Sequence, residues 1–277
     1  EELVKEFNIN AKFYDPDRFE DLKDKISKKT KMILVENPGS STFEFQDLSK
    51  IVSLAKRKNI LTFLDNTWGT PLYLKPLKLG FDLSFTSATK YYSGHSDAMG
   101  GSLAVNKKVF KKVMFFYKLS GYRMSADEAY LIIRGLRTLD VRLQKHYENT
   151  KIVINFLKKQ KKIKEILYPH KPSSKSYKLW KKYYSGANGL FSMVIKSKKK
   201  SSVIKFVNSL QLFGIGYSWG GFESLVLFQD LRTNTKYTQT RRYFRFAKDE
   251  YIVRLHIGLE DPTDLIEDLK KSLKHIK

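Results

Sequence analysis

The stretch Phe81-Asp82-Leu83-Ser84-Phe85-Thr86-Ser87-Ala88-Thr89-Lys90 decides the fold. Residues 81–85 place apolar side chains at every second position, which predicts a β-strand that ends near Ser87. Two hydroxyl groups and a lysine follow directly. Ligands of open parallel sheets bind beyond the carboxyl ends of the strands. The stretch therefore predicts a strand and, at its end, a candidate binding site.

Further strands and a helix flank this stretch. Apolar runs at residues 32–35 and 60–64 predict two buried strands, and residues 100–105 predict a fourth. Between the first two runs, apolar residues recur at helical spacing from Leu48 to Ala55. Strands that are separated by helical segments favour a largely parallel sheet with both faces covered. We expect an α/β domain here.

The second half of the sequence has a different pattern. Acidic residues follow Ser125, which indicates a helix N-terminus, and a long helical pattern then extends to Phe156. Within it, Gly135 either interrupts the helix or is packed closely. Strand and helix patterns alternate after it, and they predict a smaller α+β domain. The expected organisation is a large domain over residues 1–135 and a small C-terminal domain over residues 136–277. The later predicted segments are strands at 190–195 and 252–257 and helices at 201–210 and 265–276.

Composition limits the possible functions. The 52 Lys+Arg against 28 Asp+Glu give a formal net charge of +24, but the lysines are scattered and form no single stripe, so nucleic-acid binding is not expected as the main function. The absence of cysteine excludes disulfides, thiolate metal sites and a cysteine nucleophile. No apolar run is long enough to span a membrane, and the first residues carry no apolar signal segment. We expect a cytoplasmic protein without a metal site.

Polar residues follow three of the predicted strands. They are Glu36-Asn37-Pro38-Gly39-Ser40-Ser41, Asp65-Asn66-Thr67-Trp68 and Ser87-Ala88-Thr89-Lys90. An acid and a lysine on neighbouring strand ends have two interpretations. Asp65 and Lys90 form either an ion pair that caps the sheet or a site for pyridoxal phosphate (PLP), in which a lysine attaches the cofactor and an acid keeps its pyridine nitrogen protonated.

Several motifs resemble one enzyme family over essentially the whole chain. The segment from Asp82 to Asp97 resembles the PLP-attachment signature of the Cys/Met metabolism enzymes, which include cystathionine β-lyase, cystathionine γ-synthase and methionine γ-lyase. Tyr92 departs from the aliphatic residue or Phe that is usual there. Asp65-Asn66-Thr67-Trp68 resembles the acid segment of the same family. The remaining matches are Arg134-Gly135-Leu136-Arg137-Thr138-Leu139, residues 217–225 and residues 254–261.

The resemblance implies a fold and an activity. The fold is the aspartate aminotransferase type, fold type I, in which a PLP-binding large domain carries a smaller C-terminal domain. Trp219 directly after Ser218, and His256 after Arg254-Leu255, resemble the sequence of the bacterial cystathionine β-lyase branch at these places. The implied reaction is cleavage of the carbon–sulfur bond of L-cystathionine to L-homocysteine, pyruvate and ammonia. The alternatives are a γ-synthase, a γ-lyase or a methionine γ-lyase and, outside this class, a non-catalytic basic protein that binds nucleic acid.

The resemblance also assigns cofactor contacts. Lys90 is implied to attach PLP and to act as the catalytic base, and Asp65 to pair with the pyridine nitrogen. Ser87 and Thr89 are implied to bind the cofactor phosphate. The alternative is that these hydroxyl groups stabilise the turn at the strand end. Ser40 occupies a position near the ring hydroxyl where many relatives carry Asn.

Substrate contacts come from the second half of the chain. Arg254 is implied to bind the substrate α-carboxylate through its planar fork. Ser218 and Trp219 are implied to lie beside it, with a core aromatic as the alternative for Trp219. His95 and His256 are expected to be structural rather than catalytic.

The motifs align with the later part of a family member. The upstream part of such a protein is implied to supply a phosphate-binding turn, a Tyr that stacks on the cofactor, and a Tyr/Arg pair that reaches the neighbouring subunit's site. The implied assembly of the full-length protein is a homotetramer built from dimers.

Overall fold

Two β-sheets with helices packed on them make up the described part of the chain. The structure is a computed structural model that describes residues 6–172, 174, 176–230 and 246–277. The strands are β1 Met32–Glu36, β2 Leu61–Asp65, β3 Leu83–Ser87, β4 Gly101–Val105, β5 Ile163–Leu167, β6 Leu190–Lys196, β7 Gly214–Ile215, β8 Leu225–Gln229 and β9 Glu250–His256. The helices are α1 Phe19–Lys25, α2 Leu48–Lys58, α3 Thr70–Tyr73, α4 Pro76–Leu79, α5 Lys107–Ser120, α6 Ala126–Leu136, α7 Leu139–Leu157, α8 Tyr177–Tyr183, α9 Lys200–Asn208 and α10 Pro262–Ser272.

The first sheet has the strand order β1-β2-β3-β4. Strands β1, β2 and β3 are parallel, as the sequence predicts, whereas β4 runs antiparallel to β3. The connection between β3 and β4 holds only a distorted turn at Ala88–Tyr92 and no crossover helix, so the chain returns alongside the strand it has left. Glu36 pairs with Asp65, and Asp65 with Phe85, so the three parallel strands end at one edge.

The second sheet has the order β5-β6-β9-β8-β7 and is antiparallel except between β7 and β8. Its central strand β9 is buried along its whole length. The predicted α+β arrangement of the second half is therefore confirmed. One cluster of buried apolar side chains extends through both sheets, from Leu22 to Ile276. The division between residues 135 and 136 stays a prediction, and it falls at the junction of α6 and α7.

Helix starts follow local side-chain chemistry. The Ser125 hydroxyl accepts a hydrogen bond from the Glu128 amide at 3.1 Å and donates one to the Glu128 carboxylate at 3.1 Å, which confirms the predicted N-terminus of α6. The helical pattern that extends to Phe156 forms two helices, α6 and α7, and the chain leaves the helical conformation between Leu136 and Leu139. Gly135 is packed closely: a Cβ on it would lie 2.2 Å from the Ser93 carbonyl oxygen.

Two negative findings concern only the residues that the structure describes. None of their helices is both long enough and apolar enough to cross a membrane. Their His, Asp and Glu side chains form no group of three or more that could hold a metal ion.

Candidate active site

The ends of β2 and β3 bring Asp65 and Lys90 to the same edge of the first sheet. Asp65 is the last residue of β2, and its neighbour across the ladder is Phe85 of β3. Lys90 follows β3 in the distorted turn, where its backbone leaves the helical conformation with φ −87° and ψ −122°. The neighbouring strand ends that the sequence predicts are therefore present.

Asp65 is held in place by Thr67. Its Oδ1 accepts hydrogen bonds from the Thr67 amide at 2.9 Å and from the Thr67 hydroxyl at 2.5 Å. The same hydroxyl accepts a bond from the Ser87 amide at 2.9 Å, so Thr67 joins the ends of β2 and β3. Oδ2 of Asp65 has no hydrogen-bond partner among the described residues. Sequence analysis gave Thr67 no role, although the residue two positions after an Asp is the usual donor to its carboxylate in such a turn.

The side chain of Lys90 points toward the second half of the chain. Its Nζ donates a hydrogen bond to the Ser218 hydroxyl at 2.8 Å and lies 5.8 Å from the centre of the Trp219 ring. Burial, and to a smaller extent the nearby charge of Arg254, lower the pKa of the Lys90 amine. The neutral, proton-accepting amine is therefore reached at a lower pH than for an ordinary lysine.

Arg254 connects loops that belong to the two halves of the chain. It lies in β9 with 5% of its surface exposed. One terminal nitrogen donates to the Ser40 carbonyl at 3.1 Å, and the other donates to the Tyr217 carbonyl. The guanidinium thus lies beside Ser218, where the sequence predicts the site for a substrate carboxylate.

The predicted phosphate ligands differ in their surroundings. The Thr89 hydroxyl accepts a hydrogen bond from the Gly100 amide at 2.9 Å and faces the Gly100 carbonyl at 3.3 Å, so it stabilises the turn around Lys90. The Ser87 hydroxyl makes no hydrogen bond to the part of the chain that the structure describes. Ser40 contacts Glu36 and Arg254: its amide donates to the Glu36 carboxylate at 3.0 Å, its side chain hydrogen-bonds the same carboxylate, and its carbonyl accepts from Arg254. The cofactor roles of these three residues stay predictions.

Trp219 and Gly220 lie against the backbone of the Lys90 turn. The Trp219 ring is 7% exposed and contacts the edge of Tyr91, with 5.5 Å between the ring centres. Gly220 has φ +86°, and a Cβ on it would lie 2.8 Å from the Tyr91 amide nitrogen. Only glycine fits here, because both the backbone angle and the close approach exclude a side chain. Sequence analysis quoted this glycine within a motif but gave it no role.

The two histidines of the motifs differ in environment. His95 is exposed, and its Nδ1 lies 2.6 Å from the Ser93 carbonyl. His256 is buried, and its Nε2 accepts a hydrogen bond from the Gly220 amide at 3.0 Å. His256 therefore supports the segment that faces Lys90.

Arg142 of α7 supports the turn from the other side. Its Nη2 donates to the carbonyls of Tyr91 at 2.9 Å and Gly135 at 2.7 Å, and its Nε donates to the Thr138 hydroxyl at 3.0 Å. The side chain is buried, and no carboxylate of the described ranges forms an ion pair with it. Burial lowers the pKa of the guanidinium. Because Arg142 lies far from Lys90 in the sequence, no local pattern predicts this contact.

The arrangement fits pyridoxal phosphate. A half-buried lysine with a lowered pKa suits covalent attachment of the aldehyde. Asp65 presents an oxygen without a partner among the described residues, which suits a protonated pyridine nitrogen. The Ser87 hydroxyl at the same edge is available to an anion.

The comparisons with known proteins agree with this chemistry. Residues 1–274 match the family described as Cys/Met metabolism PLP-dependent enzyme. The chain belongs to this family, and its fold is the PLP-dependent fold type I. The predicted family, fold and cofactor are confirmed.

Individual relatives carry different activities. The cystathionine beta-lyase of Bordetella avium is 36% identical over 274 residues, which are 99% of this chain and 67% of the relative. The L-alanine/L-glutamate racemase of Wolbachia pipientis wMel is 38% identical over 265 residues, which are 95% of this chain and 64% of the relative. The crystal structure of cystathionine gamma synthase from Xanthomonas oryzae pv. oryzae with cystathionine has a TM-score of 0.90 at 28% identity and covers 99% of this chain and 70% of that one. The chain thus spans about two thirds of the length of these proteins.

Proposed function

We propose that the full-length protein is a PLP-dependent carbon–sulfur β-lyase that cleaves L-cystathionine to L-homocysteine, pyruvate and ammonia. The observation that carries this proposal is the hydrogen bond of 2.8 Å from Lys90 Nζ to the Ser218 hydroxyl, beside Trp219 and Arg254. It brings the proposed base and the proposed carboxylate site together across two distant parts of the chain.

Each residue has a defined task in this reaction. PLP, when bound, supplies a protonated ring that withdraws electrons from the α-carbon of the substrate. Asp65 holds the proton on the ring nitrogen, and Ser87 and Thr89 bind the phosphate. Arg254 binds the α-carboxylate and so orients the α-carbon toward Lys90, whose amine removes the α-proton.

Bond cleavage follows from proton removal. The bond between Cβ and sulfur breaks, and its electron pair leaves with the sulfur, which gains a proton to become L-homocysteine. Water hydrolyses the remaining three-carbon fragment to pyruvate and ammonia. Ser218 accepts a hydrogen bond from the amine of Lys90 and thereby keeps the amine beside Arg254.

Trp219 and His256 support β-elimination over γ-chemistry. The two residues and the segments around them resemble those of the bacterial β-lyase branch. The cystathionine beta-lyase of Bordetella avium is 36% identical to the chain. The γ-lyase, γ-synthase and methionine γ-lyase reactions remain alternatives within the same site, because they begin with the same proton transfer to Lys90.

A racemase is a second candidate function. The Wolbachia relative that is 38% identical is an L-alanine/L-glutamate racemase. Racemisation also begins with removal of the α-proton, but the proton then returns to the opposite face and no bond to Cβ breaks. The first half of the reaction would therefore use the same lysine.

Product analysis of the full-length protein with PLP separates these reactions. Pyruvate from L-cystathionine indicates β-elimination, whereas 2-oxobutyrate indicates γ-elimination. Appearance of D-alanine from L-alanine without pyruvate indicates a racemase. A protein that forms none of these products and shows no yellow absorbance with PLP would contradict an enzymatic role.

Lys90→Ala tests the attachment site directly. We expect loss of the yellow absorbance and of nearly all turnover, while the exposed Lys108→Ala control retains both. Borohydride reduction followed by digestion provides a second test. Recovery of the cofactor on a peptide without Lys90 would overturn the assignment.

We further propose that the full-length protein is a cytoplasmic homotetramer built from dimers, without a nucleic-acid partner. An exposed apolar face on α5 supports assembly: Phe115 is 69% exposed, and Leu119 is 74% exposed. Apolar patches of this kind mark surfaces that are covered in the assembled protein.

A further inference from the structure

Ser40 and Ser41 form a short segment between the end of β1 and the second sheet, and three side chains of that sheet donate hydrogen bonds to it. The Ser192 hydroxyl donates to the Ser41 carbonyl at 2.6 Å, and Nε2 of Gln229 donates to the Ser41 hydroxyl at 3.2 Å. Arg254 donates to the Ser40 carbonyl at 3.1 Å. The Ser40–Ser41 segment therefore joins the first half of the chain to the strand that carries Arg254.

The three donors come from one face of three neighbouring strands. Ser192 of β6 and Leu227 of β8 lie opposite Arg254 of β9 on its two sides, and Gln229 follows Leu227 by two residues. Opposite residues of an antiparallel pair point to the same face of a sheet, and so do alternate residues of one strand. All three donor side chains are buried. The second sheet thus holds the segment through a row of buried polar groups.

The segment is also anchored to the first sheet. The Ser40 amide donates to the carboxylate of Glu36, the last residue of β1, at 3.0 Å. The backbone then closes a turn, in which the Phe43 amide donates to the Gly39 carbonyl at 3.1 Å. Because the segment is held from both sides, the position of the Ser40 carbonyl is fixed.

Gln229 contributes to this arrangement through its donor group. Its Oε1 is buried and has no hydrogen-bond partner in the part of the chain that the structure describes. A buried acceptor without a partner is unfavourable compared with an apolar side chain of the same shape. The contribution of Gln229 is therefore its bond to Ser41 rather than stability as such.

The Ser40 carbonyl sets the orientation of the Arg254 guanidinium. One terminal nitrogen donates to this carbonyl, and the other donates to the Tyr217 carbonyl. Two fixed acceptors on the two terminal nitrogens define the plane of the group. A guanidinium binds a carboxylate through two parallel hydrogen bonds, which requires the two planes to coincide. A shift of the Ser40 carbonyl therefore turns the guanidinium away from the carboxylate that it is proposed to bind.

We propose that Ser192 and Gln229 position Arg254 for the carboxylate of an amino-acid substrate. Both act indirectly, because they hold Ser41 and, with it, the neighbouring Ser40 carbonyl. Neither side chain contacts the substrate or the cofactor. Their role rests on the proposed function, in which Arg254 binds the α-carboxylate.

Two ligands that differ only in the carboxylate provide the test. The full-length protein with PLP is titrated with L-alanine and with ethylamine, which is L-alanine without its carboxylate, and binding is followed through the absorbance of the cofactor. Ser192→Ala removes one donor to Ser41, and Gln229→Met removes the other at nearly the same side-chain length. We expect each variant to weaken binding of L-alanine about three- to tenfold, the effect of one hydrogen bond, and to change binding of ethylamine by less than about twofold. Equal weakening of both ligands, or unchanged binding of L-alanine, would overturn the positioning role.

Ser197→Ala is the matched control. Ser197 directly follows β6, is buried, and also donates to a backbone carbonyl through its hydroxyl, that of Lys277 at 2.9 Å. This variant should bind L-alanine as the wild type does. A loss equal to that of Ser192→Ala would assign the effect to the removal of any buried hydroxyl, and the specific role of Ser192 would be wrong.

The Arg254→Ala background shows whether the effect passes through the guanidinium. Without the guanidinium, the Ser40 carbonyl has no group to orient, so adding Ser192→Ala should change L-alanine binding by less than about twofold. A loss as large as in the wild-type background would show that Ser192 acts by another route, and would overturn the proposal.

Failure of the proposed function gives a different result. A wild-type protein that binds L-alanine more tightly than ethylamine but forms no pyruvate from L-cystathionine contradicts the lyase activity alone, and the variants still decide the positioning role. A wild-type protein that binds the two ligands equally has no carboxylate site at Arg254, and the positioning role is then wrong together with that assignment.

Discussion

At the scale of single residues, Asp65 offers a test that separates binding of the cofactor from turnover. Asp65→Ala should leave PLP attached to Lys90 but abolish nearly all activity, because the ring nitrogen loses the group that keeps it protonated. Loss of a charge-assisted hydrogen bond costs about 1.5–3 kcal/mol, so the affinity for PLP should also fall. Absorbance of the bound cofactor and turnover of L-cystathionine are measured on the same sample.

Thr67→Val is the comparison variant for Asp65→Ala, because it keeps the shape of the Thr67 side chain and removes only the hydroxyl. That hydroxyl donates to Asp65 and accepts from the Ser87 amide, so we expect a smaller loss of activity than in Asp65→Ala. Near-normal turnover of Asp65→Ala would mean that another carboxylate serves the ring nitrogen.

Arg254 tests recognition of the substrate carboxylate. A lysine at this position keeps the positive charge but lacks the planar guanidinium, whose two terminal nitrogens donate to the carbonyls of Ser40 and Tyr217. Arg254→Lys should therefore lower kcat/KM by about ten- to a hundredfold, from a loss of roughly 1.5–3 kcal/mol, and Arg254→Ala should lower it further. The cofactor absorbance should survive both changes. If Arg254→Ala loses the cofactor band, or keeps kcat/KM within about twofold, then the carboxylate site lies elsewhere.

Sequence analysis located the candidate residues because strand ends are visible in a single sequence. The neighbouring positions of Asp65 and Lys90 follow from two parallel strands that end at one edge. Contacts that depend on distant segments could not be predicted in this way. Arg142 reaches the Lys90 turn across 51 residues, and no local pattern marks a buried arginine of this kind.

At the scale of elements, the packing of α6 on the Lys90 turn depends on Gly135. A methyl group there would lie 2.2 Å from the Ser93 carbonyl oxygen and 2.3 Å from that of Tyr92, both of which belong to the backbone. Gly135→Ala should therefore displace the helix and lower the free energy of unfolding by about 1–3 kcal/mol. Denaturant unfolding measures this change.

Gly216→Ala is the control for that substitution. A Cβ on Gly216 finds its nearest atom at 3.7 Å, which is ordinary van der Waals contact, so its unfolding midpoint should stay close to that of the wild type. Equal stability of Gly135→Ala and Gly216→Ala would show that the Lys90 turn shifts at little cost in free energy and that the packing of α6 does not hold the turn in place.

Two details of the elements depend on contacts that a single sequence does not show. The direction of β4 depends on the path of the preceding connection, which forms a turn stabilised by Thr89 and Gly100 rather than a crossover helix. The break between α6 and α7 lies within a continuous apolar periodicity. It arises from packing against the Lys90 turn, where the Tyr91 and Gly135 carbonyls share Arg142.

At the scale of the whole molecule, the candidate site forms where the two sheets meet. Lys90 and Asp65 come from the first sheet, whereas Arg254 lies on the central strand of the second. The apolar core is continuous between the sheets, so the two halves are fixed relative to each other by packing. The charge of Arg254, the proposed α-carboxylate site, is thereby held at a set distance from the amine of Lys90, the proposed base.

Assembly of the full-length protein is the remaining property at this scale. Phe115, Phe116 and Leu119 lie on one side of α5 and are 69%, 61% and 74% exposed, and Tyr122 follows at 78%. A carboxylate placed in a buried contact is strongly unfavourable, so the double variant Phe115→Asp/Leu119→Asp should dissociate the proposed tetramer into smaller species. Sedimentation equilibrium of the full-length protein measures the mass. Ile152→Asp on α7, where the apolar side chain is 45% exposed, is the control and should leave the mass unchanged. A double variant that remains tetrameric and as stable as the control would mean that α5 faces solvent in the assembly, and the subunit contact would then have to lie on another surface.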